Sequence, residues 1–204
     1  MTRYTFGGDE QILAIFSDEM SLKACFRGFH LADVIRSRKI AGITEICAGN
    51  VALMLRFDPD IIAPDILMNE LEQLDSTLSA EEGSFETRVI EVPVLYGDPW
   101  THETLMRFRD RHQNPELTDL SYAAAINGYP NVAAFIKAHT SAPWITSMVG
   151  FVAGLPFLYQ MVEQEQQIQV PKYLRPRTDT PALSIGHGGC FGSIYPVRGA
   201  GGYQ

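Results

Sequence analysis

The residues with the strongest chemical potential lie in the last third of the chain. Pro171-Lys172-Tyr173-Leu174-Arg175-Pro176-Arg177 puts three cations among two prolines and an aromatic ring. Prolines restrict the backbone, so the cations of such a segment could be held ready for a carboxylate or a phosphate. Gly186-His187-Gly188-Gly189-Cys190 places an imidazole suited to proton transfer among flexible backbone amides. With Gly199-Ala200-Gly201-Gly202, these amides could stabilise an oxyanion in acyl or carboxyl transfer. Upstream, Gly150-Phe151-Val152-Ala153-Gly154-Leu155-Pro156-Phe157-Leu158 is an apolar loop whose glycines permit close backbone approach. The site expected from these residues has His187 as the proton-transfer group. Lys172, Arg175 and Arg177 converge with it on a pocket floored by the Gly150–Leu158 loop, and Gly150, Phe151, Gly154 and Tyr195 contact substrate. The competing reading of each feature is structural: solvated turn cations, a turn histidine, and glycines at sheet corners and bulges. His139 is read as a helix-end histidine bonded to local carbonyls, and His102 and His112 as helix-surface residues. Asp58-Pro59-Asp60 is read as a turn before a helix rather than a metal site.

Charge supports the choice of region. The net charge is −8. Residues 1–98 carry 17 acids and 8 bases, whereas 99–204 carry 7 and 8. From Pro171 onward Asp179 is the one acid, against Lys172, Arg175, Arg177 and Arg198. A locally basic tract suits a small anion, and an acidic body argues against nucleic-acid binding. Other chemistries lack their motifs. There is no glycine loop followed by Lys-Ser/Thr, no G-x-S-x-G elbow, and the glycines at 186–192 miss the dinucleotide spacing. Three widely spaced cysteines, Cys25, Cys47 and Cys190, fit reduced thiols rather than a zinc or disulfide framework. The Ile145–Tyr159 apolar run is too short and too interrupted for a membrane span and reads as buried strand. With no export signal at Met1-Thr2-Arg3-Tyr4, a cytoplasmic protein is expected.

The elements that must position these residues fall into two halves. Residues 1–83 read as strand, strand, helix, strand, strand, helix. Strands are expected at Gln11–Phe16, Thr44–Cys47 and Val51–Phe57. A helix with a Leu22-Cys25-Phe26-Phe29-Ala32 face ends at Gly42, and a second opens at Pro64, carries Leu67, Leu71, Leu74 and Leu78, and closes at Gly83. Phe85–Leu95 then returns as strand. Both helices should pack on one sheet face. Trp100–Thr140 reads as helical, capped at Thr101, broken at Asn127-Gly128 and reopened at Pro130. Beyond Ala142, short apolar runs broken by Gly and Pro suggest an irregular β-barrel or sandwich.

Taken together, Gly150–Leu158, Pro171–Arg177, Ile194-Tyr195-Pro196 and Gly201-Gly202-Tyr203 resemble the signature blocks of the allophanate hydrolase subunit 1 family. Gly42–Ile46, Leu55–Pro59, Val92–Gly97 and His139-Thr140 fall upstream in the family's order. The family includes the B subunit of bacterial 5-oxoprolinase and the carboxyltransferase domain (subdomains C and D) of urea carboxylase. The resemblance implies an α+β protein: an N-terminal α+β sandwich domain over 1–83, then a cyclophilin-like β-barrel domain with a helical insert over 84–204. It implies a larger second subunit, and a small amide, lactam or ureido substrate that is hydrolysed or takes part in carboxyl transfer. No covalently bound cofactor is implied, with ATP or carboxybiotin presented by partner proteins, and neither nucleic acid nor membrane as a partner. The alternative within the same resemblance is a regulatory binding protein of the histidine-kinase inhibitor type. The chain departs from the family pattern at Ala153, at Pro181–Ser184, in its long helical insert, and in stopping at Gln204, where the family continues into a further strand.

Overall fold

In the computed structural model, residues 2–78 and 85–203 are described. The chain divides into two compact units, Met1–Val89 and Ile90–Gln204. The boundary expected at Gly83 falls outside the described residues.

In the first unit, the strands are β1 (Arg3–Phe6), β2 (Gln11–Ile15), β3 (Ile43–Gly49) and β4 (Ala52–Phe57). They form one antiparallel sheet in the order β1-β2-β4-β3. Alternation assigns the faces: Ile12, Ala14, Leu53, Leu55 and Phe57 are buried. Against them pack Leu31, Ala32 and Ile35 of α1 (Leu22–Arg38) and Leu67, Leu71 and Leu74 of α2 (Pro64–Thr77), giving a single apolar core. Both helices pack on one sheet face as expected, but α1 meets it through Leu31, Ala32 and Ile35, while Leu22, Phe26 and Phe29 of the expected stripe stay half-buried. Ser21 caps α1 by accepting from the Ala24 amide at 3.2 Å. The helix ends at Arg38 with Lys39 in the left-handed region, earlier than the expected stop at Gly42. Gly42 serves the following turn instead: its φ is +92°, and a Cβ there would stand 2.7 Å from Ile62 Cγ2. Cys25 lies on the buried face of α1, where burial pushes its thiol up to about 11.

Residues 85–95 form no strand, contrary to expectation. Pro93 lacks an amide to give to a ladder, and no neighbouring strand pairs with the segment among the described residues. Phe85 packs its ring on Phe26 and Phe29 of α1.

The second unit opens with three helices, α3 (Pro99–Arg107), α4 (Asp119–Ile126) and α5 (Val132–His139). Asp98 rather than Thr101 caps α3, accepting from the Trp100 and Thr101 amides, and Asn131 caps α5. The strands are β5 (Trp144–Val149), β6 (Pro156–Gln160), β7 (Arg177–Thr180), β8 (Ile185–Gly188), β9 (Phe191–Ile194) and β10 (Gly199–Gly201). The apolar run read as one buried strand is a hairpin, β5 and β6, turned by residues 150–155. Two antiparallel sheets result, β5-β6-β9-β8 and β10-β7, and neither closes on itself. Bridges from Val170 to Gly189 and from Tyr203 to His187 extend the larger sheet.

Candidate functional site

Two concavities in the second unit share His187 as a border. The smaller, about 270 Å³, is lined by Phe151, Lys172, His187 and Tyr195, together with glycines of β8, β9 and β10. Four of the residues expected to form the site are therefore brought together. Gly186 makes this possible for Tyr195: a Cβ on Gly186 would fall 2.5 Å from Tyr195 Cε2, so the ring can lie there only over a glycine. Gly150 and Gly154 do not line this pocket. They shape the β5–β6 turn, in which the Gly150 amide donates to Leu155 O at 3.1 Å and Gly154 has φ +80°. Phe151 at the turn tip has φ +68° and is 69% exposed.

The three cations do not converge. Arg175 is exposed and pairs with Asp110 at 2.9 Å, both side chains being about two-thirds accessible. Arg177 is fully buried, where a turn cation or a ligand-facing cation was expected. Its guanidinium donates to Asp119 and to the Tyr173 hydroxyl and lies 4.2 Å from the Tyr173 ring centroid. Tyr173 donates in turn to Asp119 Oδ1 at 2.8 Å. The acids that pair with these arginines thus arrive from the helical segment: Asp119 at the start of α4, and Asp110 in the turn after α3.

His112, expected on a helix surface, is buried in the same cluster, its ring edge-on to Tyr122, Tyr173 and Tyr203. The Asn114 amide donates to His112 Nδ1 at 2.8 Å, so the ring proton sits on Nε2, which faces Asp119 Oδ1 at 3.4 Å. His102 is exposed, as expected.

The larger concavity, about 510 Å³, lies in the range of about 300–1,000 Å³ usual for small-molecule sites. Val92–Leu95 wall it on one side and Pro181–His187 on another, with Phe135, Val170 and Tyr203 as further apolar surface. The apolar segment that pairs with no strand is thus used as cavity wall. The principal polar pair is Tyr96 and His139, with the Tyr96 hydroxyl 2.7 Å from His139 Nδ1. His139 stands in the last turn of α5, as read, but its ring turns to Tyr96 rather than to local carbonyls. Its ring centroid is 4.8 Å from that of Trp144 and 6.0 Å from that of His187. Neither ring nitrogen of His187 has a partner of good hydrogen-bond geometry among the described residues.

Burial holds the His139 pKa down to about 4. His187 is pushed down to about 3 by burial first and by the nearby His139 second, with the Gly189 backbone opposing. Both rings are therefore neutral at pH 7. Tyr96 and His139 were not singled out from sequence chemistry. Their signal was their place in the blocks Val92–Gly97 and His139-Thr140. Among the described residues, no cluster of three or more His, Cys, Asp or Glu is placed to hold a metal ion.

Residues 2–204 match the family model described as carboxyltransferase domain, subdomain C and D. The 5-oxoprolinase B subunit of Haemophilus influenzae is 33% identical over 138 residues, covering 68% of this chain and 54% of that protein. The Bacillus subtilis protein of the same name is 30% identical over 125 residues, covering 61% and 44%. Among solved structures, the urea carboxylase of Kluyveromyces lactis superposes with a TM-score of 0.81 at 23% identity, over 100% of this chain and 18% of that one, a likeness of fold. The chain matches about half or less of the length of these relatives.

Proposed function

We propose that this chain, which belongs to the carboxyltransferase-domain family (subdomains C and D), is one component of a two-component enzyme acting on an amide, lactam or ureido carbonyl. The observation that carries this reading is its alignment with a 5-oxoprolinase B subunit over two-thirds of its length. The geometry agrees with the chemistry. The 510 Å³ cavity offers apolar walls and neutral hydrogen-bonding groups, which suit the carbonyl part of such a compound. Lys172, His187, Phe151 and Tyr195 border the adjoining pocket, where a cation could meet a carboxylate or carboxybiotin's carboxyl group presented by the second component. Under this reading Arg177 is a positioning residue that fixes Tyr173 at that pocket, and Arg175 has no part in binding. The larger sheet, lengthened by the His187–Tyr203 bridge, would be one wall of a cyclophilin-like barrel.

The test is reconstitution of the purified chain with a larger subunit of the same family type. The mixture is assayed for hydrolysis or carboxylation of 5-oxoproline, allophanate and urea, with and without ATP or carboxybiotin. Turnover that needs both chains supports the reading. Failure of every such mixture, under conditions where a Bacillus subtilis pair turns over, would overturn it.

A further inference from the structure

We infer that one end of the larger sheet in the second unit is the face on which the second component docks, and that this component presents an apolar surface bordered by carboxylates. The inference rests on the two-component reading above and deepens it by naming the docking face and the character of what covers it.

It starts from the register of β5-β6-β9-β8. Val149 pairs with Pro156, Phe157 with Ser193 and Ile185 with Ile194, so these residues mark one end of the sheet. Three connections meet there: the β5–β6 turn, residues 181–184 before β8, and Tyr195–Val197 after β9. The last two are tied by hydrogen bonds from the Leu183 amide to Tyr195 O at 2.7 Å and from the Tyr195 amide to Ser184 O at 3.0 Å. The β5–β6 turn adjoins them at Gly154, where a Cβ would stand 3.8 Å from Pro196 Cβ. This end leaves Val149, Phe151, Leu183 and Val197 each more than half exposed. A single exposed apolar residue is ordinary, but four on adjoining segments make a patch, and such patches mark interaction sites.

Backbone conformation singles out two of the four. Among the described residues, the non-glycines in the left-handed region are Lys39, Asn50, Phe151 and Leu183. Lys39 caps α1 and Asn50 turns the β3–β4 hairpin, both usual places for that conformation. Phe151 (φ +68°) and Leu183 (φ +66°) are bulky apolar residues at exposed turns, where glycine would fold at lower cost. Their side chains bury too little within the chain to offset that strain. Held outward, they have the form of anchors for pockets on a partner.

Charge identifies what kind of partner. Residues 149–158 and 181–197 contain no acid, in a chain of net charge −8. The cations beside them are Arg198, neutralised by Asp179, and Lys172, exposed at the smaller pocket that Phe151 also borders. Lys172 makes no ion pair among the described residues. A second copy docked by the same end would bring more cations and no acid to this interface. A different protein, with carboxylates around an apolar centre, meets both the patch and Lys172. Leu183 borders the larger concavity and Phe151 the smaller, so a protein seated here would stand over both.

The test is isothermal titration of the full chain with the larger subunit used in the reconstitution above, and hydrogen exchange on the mixture. Slower exchange is expected in residues 149–155 and 182–184. Phe151→Gly and Leu183→Gly should each weaken association about tenfold or more, yet unfold in urea at the wild-type midpoint or above, because glycine relieves the backbone. A turn residue with only a structural role would not lose binding while keeping or gaining stability. Lys172→Glu should weaken association about tenfold at low salt and less at high salt. Ile66→Asp, at an exposed apolar position near the start of α2, should bind as wild type.

The inference falls if the glycine variants or Lys172→Glu bind as tightly as wild type, or if protection appears only elsewhere. It falls too if the chain alone forms a dimer that Phe151→Gly dissociates, since a second copy is then the occupant. If the larger subunit binds and the glycine variants lose that binding, but no mixture turns over, the face stands and the reaction reading fails. If turnover needs both chains and the glycine variants turn over normally at limiting subunit concentration, the reaction reading stands and the face is wrong. A larger subunit that neither binds nor turns over overturns both.

Discussion

The first unit is held by aliphatic side chains that meet between a sheet and two helices. In the second unit, one of the largest fully buried side chains is an arginine. The smaller core of the second unit gathers Ala123, Ala124, Phe135, Ile168, Val170, Tyr173 and Tyr203, and the Arg177–Asp119 pair sits beside its tyrosines. An aliphatic core tolerates local loss in proportion to the volume removed. A buried charge pair is all or nothing, because removing one partner strands the other in a low-dielectric interior. The difference teaches that the half with the cavities is also the half whose integrity depends on specific polar contacts.

The largest expected effect comes from breaking that pair. Arg177→Ala and Asp119→Ala should each cost about 3–5 kcal/mol in urea unfolding of the second unit. Replacing both together by Met and Leu should recover most of the loss. The expectation from sequence, a cation converging on the pocket, would instead put the main loss of Arg177→Ala in ligand binding. If Arg177→Ala unfolds at the wild-type midpoint, the contrast between the units is wrong. In the first unit, Leu71→Ala should cost about 2–5 kcal/mol, with no rescue available from a second substitution. A loss under about 1 kcal/mol there would mean that the helix–sheet core is loosely packed.

The third test uses pH. His139 and His187 have folded-state pKa values of about 4 and about 3, below the ordinary imidazole value. The unfolded chain therefore binds protons that the folded chain refuses. Stability is full above about pH 6.5 and falls as pH drops toward 4 and then 3. At pH 5, about 1.5 units below the unfolded value, each ring should cost about 2 kcal/mol relative to pH 7. The groups facing the rings, Tyr96 and Trp144, stay uncharged throughout. His139→Gln and His187→Gln should each flatten the pH 5 to pH 7 difference by that amount. Identical slopes in wild type and variants would show that the rings are hydrated. The smallest effect is expected at Arg175→Ala, where an exposed pair with Asp110 contributes under about 1 kcal/mol.

How much of this was legible in the sequence follows the range of the interactions. The first unit's helices could be read because Leu67, Leu71 and Leu74 carry their partner-facing side in local spacing. The close packing of the strands around His187 and Tyr195 could be read for a similar reason, since close approach at Gly186 needs glycine locally. The fate of Arg177 could not: its acid lies 58 residues away on another element. His112 was misplaced for the same reason, its burial being decided by tyrosines at 122, 173 and 203. Residues 85–95 have strand composition, but composition does not supply a pairing partner.

The buried position of Cys25 has a practical consequence. Thiol reagents attack thiolates that they can reach, and Cys25 offers neither exposure nor an easily lost proton. Cys47 is exposed and Cys190 partly so, which puts the chain's three thiols in three different grades of access. In native conditions Cys47 should react at once. Cys190 should react more slowly, being part-exposed with a thiol whose proton burial holds, and modification of Cys25 should wait for the first unit to open. Quenched samples weighed by mass spectrometry would then time the opening of the first unit, with Cys47 as the internal reference, without a mutation or an attached dye.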